Sequence, residues 1–405
     1  MSQRRVLSIQ SHVAFGYVGG KAAAFPLQCL GYDVDLVNTV NFSNHSGYGR
    51  LGGRKTSTEE LESIFQAMES NELLDPSRLL TGYIPNADAL NAIKKLAEKL
   101  RKQNPNLIYL LDPVMGDAGK LYVSADVIPV YQSMLPLSTV ITPNWFEVET
   151  LTSTQLTSLP SLRHALTILH TQYHVPHIAI SSIPLKPWLA QSLPASIRPP
   201  EASESAHLLC ITSSLIHSKS DSDDRHENGS SELSLVHAQC VPLIAGYFSG
   251  VGDLFSALVL AHYHPSQSFP SPSSPSPSPT PYENPNPTPH SEPTHSYKDT
   301  TPLTTAVSLS LSKTHQVLLR TFSHSESLPE SERLGTDDEK DGNEPIRKVR
   351  RMKGRELRLV QSIDVIRGEP KRQKLGHDGD ENEEEEGVVQ MRELVRWDEF
   401  WSQKP

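Results

Sequence analysis

The chain has 405 residues, 37% of them hydrophobic and 21% charged, with 32 prolines and a formal net charge of -10. No stretch approaches the ~18 uninterrupted apolar residues of a membrane span, the first residues lack a secretory h-region, and Cys29, Cys210 and Cys240 lack CxxC spacing. These features exclude a disulfide framework and a cysteine-bound zinc, and point to the cytoplasm with nuclear presence left open; the acidic balance disfavours broad nucleic-acid binding.

From Arg4 to about Ser182, short β-type runs alternate with helical patterns, which is how an α/β domain with a largely parallel sheet reads. Strands are predicted at Val6 to Ile9, Asp33 to Val40, Leu79 to Gly82, Leu107 to Leu111, Thr139 to Ile141 and His177 to Ser181. Between them, Ser57 and Glu60 form a capping box, and two apolar faces recur at helical spacing: Leu90, Ile93, Ala97, Leu100, then Leu162, Ala165, Leu166, Leu169. Residues 183–232 are rich in Pro, Ser and acidic side chains and read as a long loop with one strand at His207 to Ile211. A glycine turn then feeds a helix from Gly250 to His262.

Residues 265–300 hold 11 of the 32 prolines, a composition that buries too little apolar surface to fold, so they read as an insert. Helical spacing resumes at Thr304 to Phe322 with Val307, Leu311, His315, Leu318 and Phe322 on one face. The reading is therefore one domain over 1–366, with low-complexity inserts at about 183–232, 265–300 and 323–354, and a disordered charged tail over 367–405. Basic runs at Arg347 to Arg355 and Lys371 to Lys374 read as solvated charge, and His170, His174 and His177 as a helix end entering a strand.

The strongest chemical signal is Gly250-Val251-Gly252-Asp253 at a helix start. Two glycines admit a ligand to the backbone, the free N–H groups and dipole favour an anion, and Asp253 can take a proton from an attacking hydroxyl. That suits phosphoryl transfer; a plain turn with an N-cap Asp is the competing reading. Context comes from strand ends, where open α/β sheets bind ligands: Asp112 and Asp117 follow one strand, and Thr142, Asn144 and Glu147 the next. Two carboxylates and nearby oxygens there can hold Mg²⁺ beside nucleotide phosphates, against the reading of ordinary turn and cap residues. Ser11, His45 and Ser46, with Phe42 and Tyr83 as flat walls, read as a third cluster suited to a polar-edged heterocycle, against the reading of turn polar residues and a core aromatic.

Seven ordered segments carry a family resemblance: Arg5 to Val13, Gly16 to Gly19, Phe42 to Tyr48, Leu80 to Tyr83, Asp112 to Asp117, Ile141 to Asn144 and Gly252 to Phe255. Together they resemble the pyridoxal kinases of the ribokinase-like superfamily, and Glu356 to Ser362 looks like that family's C-terminal strand. The resemblance implies a three-layer α/β/α fold and ATP-dependent phosphorylation of the 5′-hydroxymethyl group of pyridoxal, pyridoxine or pyridoxamine, in vitamin B6 salvage. It implies Asp253 as base with Gly250, Val251 and Gly252 as the phosphoryl cradle. Ser11, Val40, Phe42, His45, Ser46, Tyr83 and Asp253 would meet the vitamin. Asp112, Asn144, Ser181, Ser182, Val251 and Gly252 would meet ATP, and Asp117, Thr142 and Glu147 would lie around the metal. Mg²⁺, K⁺ as activator and a homodimer are further implications.

Val251 departs from the family's usual threonine, losing a hydroxyl while keeping a β-branched shape, and Ser46 replaces another threonine. Two other readings stand beside the B6 kinase. One is a hydroxymethylpyrimidine-type kinase; the other is a catalytically impaired kinase fold used as a scaffold, its proline-rich insert binding SH3- or WW-like modules.

Overall fold

Strand β1 (Arg5–Val13) has both faces covered: Leu7 and Ile9 point into one apolar cluster and Val6 into another, which places this strand inside the sheet. The computed structural model describes residues 4–199, 206–216, 232–265, 300–335, 338–368 and 393–402. Around β1 lie β2 (Asp33–Phe42), β3 (Gly53–Lys55), β4 (Arg78–Thr81), β5 (Ile108–Leu111), β8 (Val140–Ile141), β9 (His177–Pro184), β10 (His207–Leu215), β11 (Ser234–Pro242) and β12 (Val395–Arg396). The ribbon β6 (Gly116–Asp117) and β7 (Lys120–Leu121) stands apart.

The ten-stranded order is β12-β11-β10-β9-β8-β5-β4-β1-β2-β3. From β2 through β9 the neighbours are parallel, and antiparallel pairs complete both sides. The strands predicted at Val6 to Ile9, Asp33 to Val40, Leu79 to Gly82, Leu107 to Leu111, Thr139 to Ile141, His177 to Ser181 and His207 to Ile211 are all present.

One face is covered by α2 (Thr58–Ser70), α3 (Ala87–Gln103), α4 (Val127–Met134), α5 (Trp145–Thr152), α6 (Leu159–Thr167) and α7 (Pro187–Ser192). The other carries α1 (Gly19–Cys29), α8 (Val251–His262), α9 (Pro302–Ser327) and α12 (Ile363–Arg367), giving the three-layer α/β/α architecture. Local chemistry sets the helix starts: Asn86 accepts from Ala89 N–H, and Thr301 accepts from Thr304 N–H with Pro302 in the first turn. Ser57 likewise accepts from Glu60 N–H, while the Glu60 carboxylate pairs with Arg54. Arg78, buried in β4, donates to the carbonyls of Leu260 and Tyr263 at 2.6 and 3.0 Å, fixing the C-terminal end of α8 to the sheet.

Four expectations are corrected. The 183–232 stretch is not simply loop: Leu185, Leu189, Leu193 and Ile197 recur every fourth residue and are buried, which makes α7 part of the core, and β10 runs through to Leu215. Within 323–354, α9 continues to Ser327, and α10 (Asp338–Asn343) and α11 (Pro345–Gly354) follow, with Asp341 paired to Arg347 and Arg351 at 2.6 and 2.5 Å. Two members of that basic run are thus paired inside the fold.

The tail returns as well. Residues 393–402 add β12 to the sheet edge and bury Trp397 and Phe400, whose rings meet at 5.1 Å. Glu356 to Ser362 is not a strand; Val360–Ser362 is a 3₁₀ turn leading into α12. Residues 266–299, with nearly all of the proline-rich insert, lie outside the described residues, as do 217–231 and 369–392 with the second basic run and the acidic run.

Phe400→Ala is expected to lower stability by about 3–5 kcal/mol, because a fully buried aromatic ring is lost from a packed site. Denaturant titration checks it; a loss under ~1 kcal/mol would mean that the tail contributes little.

Candidate active site

The site gathers where β5, β8 and β9 end and α8 begins, around a cavity of about 520 Å³. Gly250 caps α8 with φ +81°, and a Cβ there would lie 2.0 Å from the Tyr17 carbonyl oxygen, so only glycine serves. At Gly252 a Cβ would meet nothing within 4 Å, so its missing side chain leaves open space at the cavity. The first turn leaves the N–H groups of Val251, Gly252 and Asp253 without helix partners, a ready anion site.

The Asp253 carboxylate accepts from Gly19 N–H at 2.7 Å. Burial raises its pKa, with the Gly19 bond pulling the other way. Asp112, 5% exposed, accepts from the Ser256 hydroxyl at 2.8 Å, and Ser256 in turn meets Thr142 Oγ1 at 2.9 Å. Burial and the neighbouring Asp253 charge push Asp112 up to about 8, against the Ser256 bond. Glu147 closes a capping box with Asn144 at the start of α5, and its carboxylate accepts from the N–H groups of Met115 and Asn144, both at 2.9 Å. It too is raised, first by burial and then by Asp112.

Among the described residues, no group of three or more His, Cys, Asp or Glu side chains is arranged to hold a metal by itself. The donor set still fits a hard cation that keeps water and phosphate oxygens: Asp117 and Glu147 line the cavity with Thr142 and Asp112, and the raised carboxylates mark a place short of positive charge.

On the other side, His45 is nearly buried and Ser46 exposed, both lining the cavity. His45 Nδ1 accepts from Gly47 N–H at 3.2 Å and lies 3.3 Å from the Ser249 hydroxyl.

Of the residues singled out from sequence, Gly250, Val251, Gly252, Asp253, Asp112, Asp117, Asn144, Thr142, Glu147, Ser181, Ser182, His45 and Ser46 line one cavity. Ser11, Val40, Phe42 and Tyr83 do not line it; they stand beside it at the ends of β1 and β2 and just after β4, with Ser11 in register with Val40. Ser11 nonetheless touches the site's frame, since a Cβ on Gly19 would lie 2.2 Å from its carbonyl oxygen.

Sequence reasoning missed Ser256, Ser249, Tyr122, Thr314 and Glu356. Ser256 was findable as the residue one helical turn beyond Asp253. Thr314 lines the cavity beside His315, and its buried hydroxyl has no partner among the described residues.

An open helix start with a carboxylate beside it, at the carboxyl ends of parallel strands in a three-layer α/β/α fold, is the arrangement that the ribokinase-like resemblance implies for a phosphoryl-transfer enzyme. A family profile described as phosphomethylpyrimidine kinase matches residues 54–186. A pyridoxal kinase from Arabidopsis thaliana is 49% identical over 167 residues, 41% of this chain and 54% of that protein. A putative pyridoxal kinase from Schizosaccharomyces pombe is 34% identical over 368 residues, covering 90% of this chain and 92% of its own length. The structure of pyridoxal kinase from Leishmania donovani in complex with ADP and pyridoxine superposes with a TM-score of 0.64 at 26% identity, over 90% of this chain and 96% of that one. Identity sustained over nearly the whole of both chains places this protein in the pyridoxal kinase family.

Asp112, Asp253 and Glu147 hold protons more tightly folded than unfolded. Their stabilising contribution is full below the unfolded carboxylate pKa of about 4 and is lost as pH rises through the folded values, about 8 for Asp112. The melting temperature of metal-free protein is therefore expected to fall as pH rises from about 4 to about 8 and to level off above that, and Asp112→Asn to make that fall shallower. An unchanged slope in the variant, by scanning fluorimetry, would assign the titration to other groups.

Proposed function

We propose that this chain transfers the γ-phosphoryl group of ATP to the 5′-hydroxymethyl group of pyridoxal, and of pyridoxine and pyridoxamine, in vitamin B6 salvage. The observation that carries the reading is the Asp253 carboxylate, held by Gly19 N–H at the edge of the α8 anion site and inside the same cavity as His45 and Ser46. The named relatives support the substrate class: the Leishmania enzyme is in complex with ADP and pyridoxine.

In this reading the substrate oxygen bonds to the γ-phosphorus, the bridging bond to the β-phosphate breaks, ADP leaves, and the hydroxyl proton passes to Asp253. Burial raises the pKa of Asp253, which makes its carboxylate a better proton acceptor than a fully solvated one. The N–H groups from Gly250 to Gly252 face the charge spread over the transferring phosphoryl oxygens. Asp112, Asn144, Ser181 and Ser182 border the nucleotide. Asp117, Thr142 and Glu147 would hold Mg²⁺, which when bound neutralises phosphate charge. Ser11, Val40, Phe42 and Tyr83 belong to the vitamin end, reached from the strand ends beside the cavity. K⁺ stimulation, a homodimer, a cytoplasmic location and SH3- or WW-like partners for the proline-rich insert rest on the family resemblance and the sequence. The pyrimidine-kinase alternative is less well supported, because that family profile spans 54–186 whereas the fission-yeast relative spans 90% of the chain.

The direct test is ATP-dependent formation of pyridoxal 5′-phosphate by purified protein with Mg²⁺ and K⁺. Asp253→Ala is expected to lower turnover by about 10²–10⁴-fold with both substrates still bound. Persisting turnover would remove Asp253 as the base, and no turnover in the wild type would favour the scaffold reading. Val251→Thr is expected to change kcat/KM by less than about tenfold, since one added hydroxyl contact contributes roughly 0.5–1.5 kcal/mol; a gain of several orders of magnitude would mean that Val251 had disabled the enzyme.

A further inference from the structure

Glu356 lies just after α11, far along the chain from the substrate loop, yet its side chain is only 12% exposed and faces three donors. Its Oε1 accepts from Tyr48 Oη–H at 2.7 Å and from His45 Nε2–H at 3.1 Å, and its Oε2 accepts from Tyr17 N–H at 2.9 Å. Gly16 makes this approach possible: at φ +92°, a Cβ there would lie 2.5 Å from both carboxylate oxygens. Burial alone would raise the acid's pKa, but the bonds from His45, Tyr48 and Tyr17 outweigh it and hold Glu356 below the usual carboxylate range.

These bonds decide the state of His45. Gly47 N–H points at Nδ1, so that nitrogen carries the lone pair, and the proton sits on Nε2 facing Glu356. Nδ1 is then the atom that the Ser249 hydroxyl, next to Gly250, can donate to. The third donor, Tyr17 N–H, belongs to the loop whose carbonyl abuts Gly250 and whose Gly19 holds Asp253. One carboxylate therefore joins the loop bearing His45 and Ser46 to the loop that frames the base.

We propose that Glu356 is a positioning residue for phosphoryl transfer: its carboxylate fixes the His45 tautomer and locks the acceptor-side loop, residues 45–48, to the Tyr17–Gly19 segment and through it to Asp253. Residues 338–355 support the same loop from outside. Met352 is buried with its methyl 3.1 Å from where a Gly47 Cβ would stand, and the Asp341 pairs with Arg347 and Arg351 hold α11 in place.

A carboxylate is required because all three partners donate. In Glu356→Gln the amide nitrogen must face either Tyr17 N–H or the His45 and Tyr48 pair, so at least one bond becomes a donor–donor contact. The proposal rests on the kinase reading, and steady-state kinetics with pyridoxal and ATP test it once wild-type turnover is established. Glu356→Gln is expected to raise the KM for pyridoxal about 10–100-fold and to lower kcat, with the KM for ATP within about twofold. Tyr48→Phe, which removes one donor and keeps the ring and the carboxylate, is expected to move pyridoxal KM the same way by a smaller factor. If Glu356→Gln does not accumulate as folded protein, Tyr48→Phe decides. An unchanged pyridoxal KM, or an equal rise for both substrates with a lowered melting temperature, overturns the proposal; absent wild-type turnover refutes the kinase reading instead.

Discussion

The Tyr17 carbonyl oxygen and the backbone of Gly250 meet with no room for a side chain between them. That close approach brings the loop after β1 against the start of α8, and the other features of the site depend on it. It puts Gly19 N–H within reach of Asp253, leaves the open N–H groups of α8 facing the cavity, and brings Tyr17 N–H to Glu356. A left-handed glycine is the only residue that closes such a joint without strain, which is why the local chemistry begins with Gly250 rather than with the charged residue three places on.

The same joint explains the electrostatics. Parallel strands deliver Asp112 and, through α5, Glu147 to one end of the sheet, where Asp253 also arrives from α8. Carboxylates near one another in a poorly solvated space hold their protons, and among the described residues hydroxyls and N–H groups, not lysine or arginine, line the cavity beside them. Such an arrangement is costly alone and would be relieved by positive charge beside it. The protein's own bonds thus leave a demand for positive charge at this end of the sheet.

How much of this could be read from the sequence depends on range. Strands β1, β2, β4, β5, β8 and β9 and the faces of α3 and α6 follow from local apolar periodicity, and the residues from Gly250 to Asp253 from a compact motif. Composition misled where a few apolar residues sit in polar surroundings: Leu189 and Ala190 make α7 a core helix, with Leu185 and Leu193 buried on either side of it, and Trp397 and Phe400 bury a tail that reads as charged. Glu356 was invisible for another reason. Its partners stand 308 to 339 positions away, and no local pattern reports a hydrogen bond across that distance. Likewise, that Ser11, Val40, Phe42 and Tyr83 do not line the cavity is set by the tertiary arrangement of the strand ends, which spacing does not encode.

Where the chain departs most from a compact kinase, the fold has already fixed what matters. Helix α8 carries its chemistry at Val251 to Asp253 and ends at His262, about 18 Å away along its axis, and the proline-rich stretch begins beyond that far end. There Arg78 grips the carbonyls of Leu260 and Tyr263, and Tyr32 donates to that of Ala261 at 2.7 Å, so the helix is anchored before the stretch starts. α9 packs back against α8 once the described chain resumes. Because the entropic cost of closing a loop grows only with the logarithm of its length, lengthening a connection between two anchored ends changes stability by little. The same number of residues inserted between Tyr17 and Gly19 or between Ser249 and Asp253 would separate the base from the amide that holds it, which is a geometric loss that no loop entropy could offset.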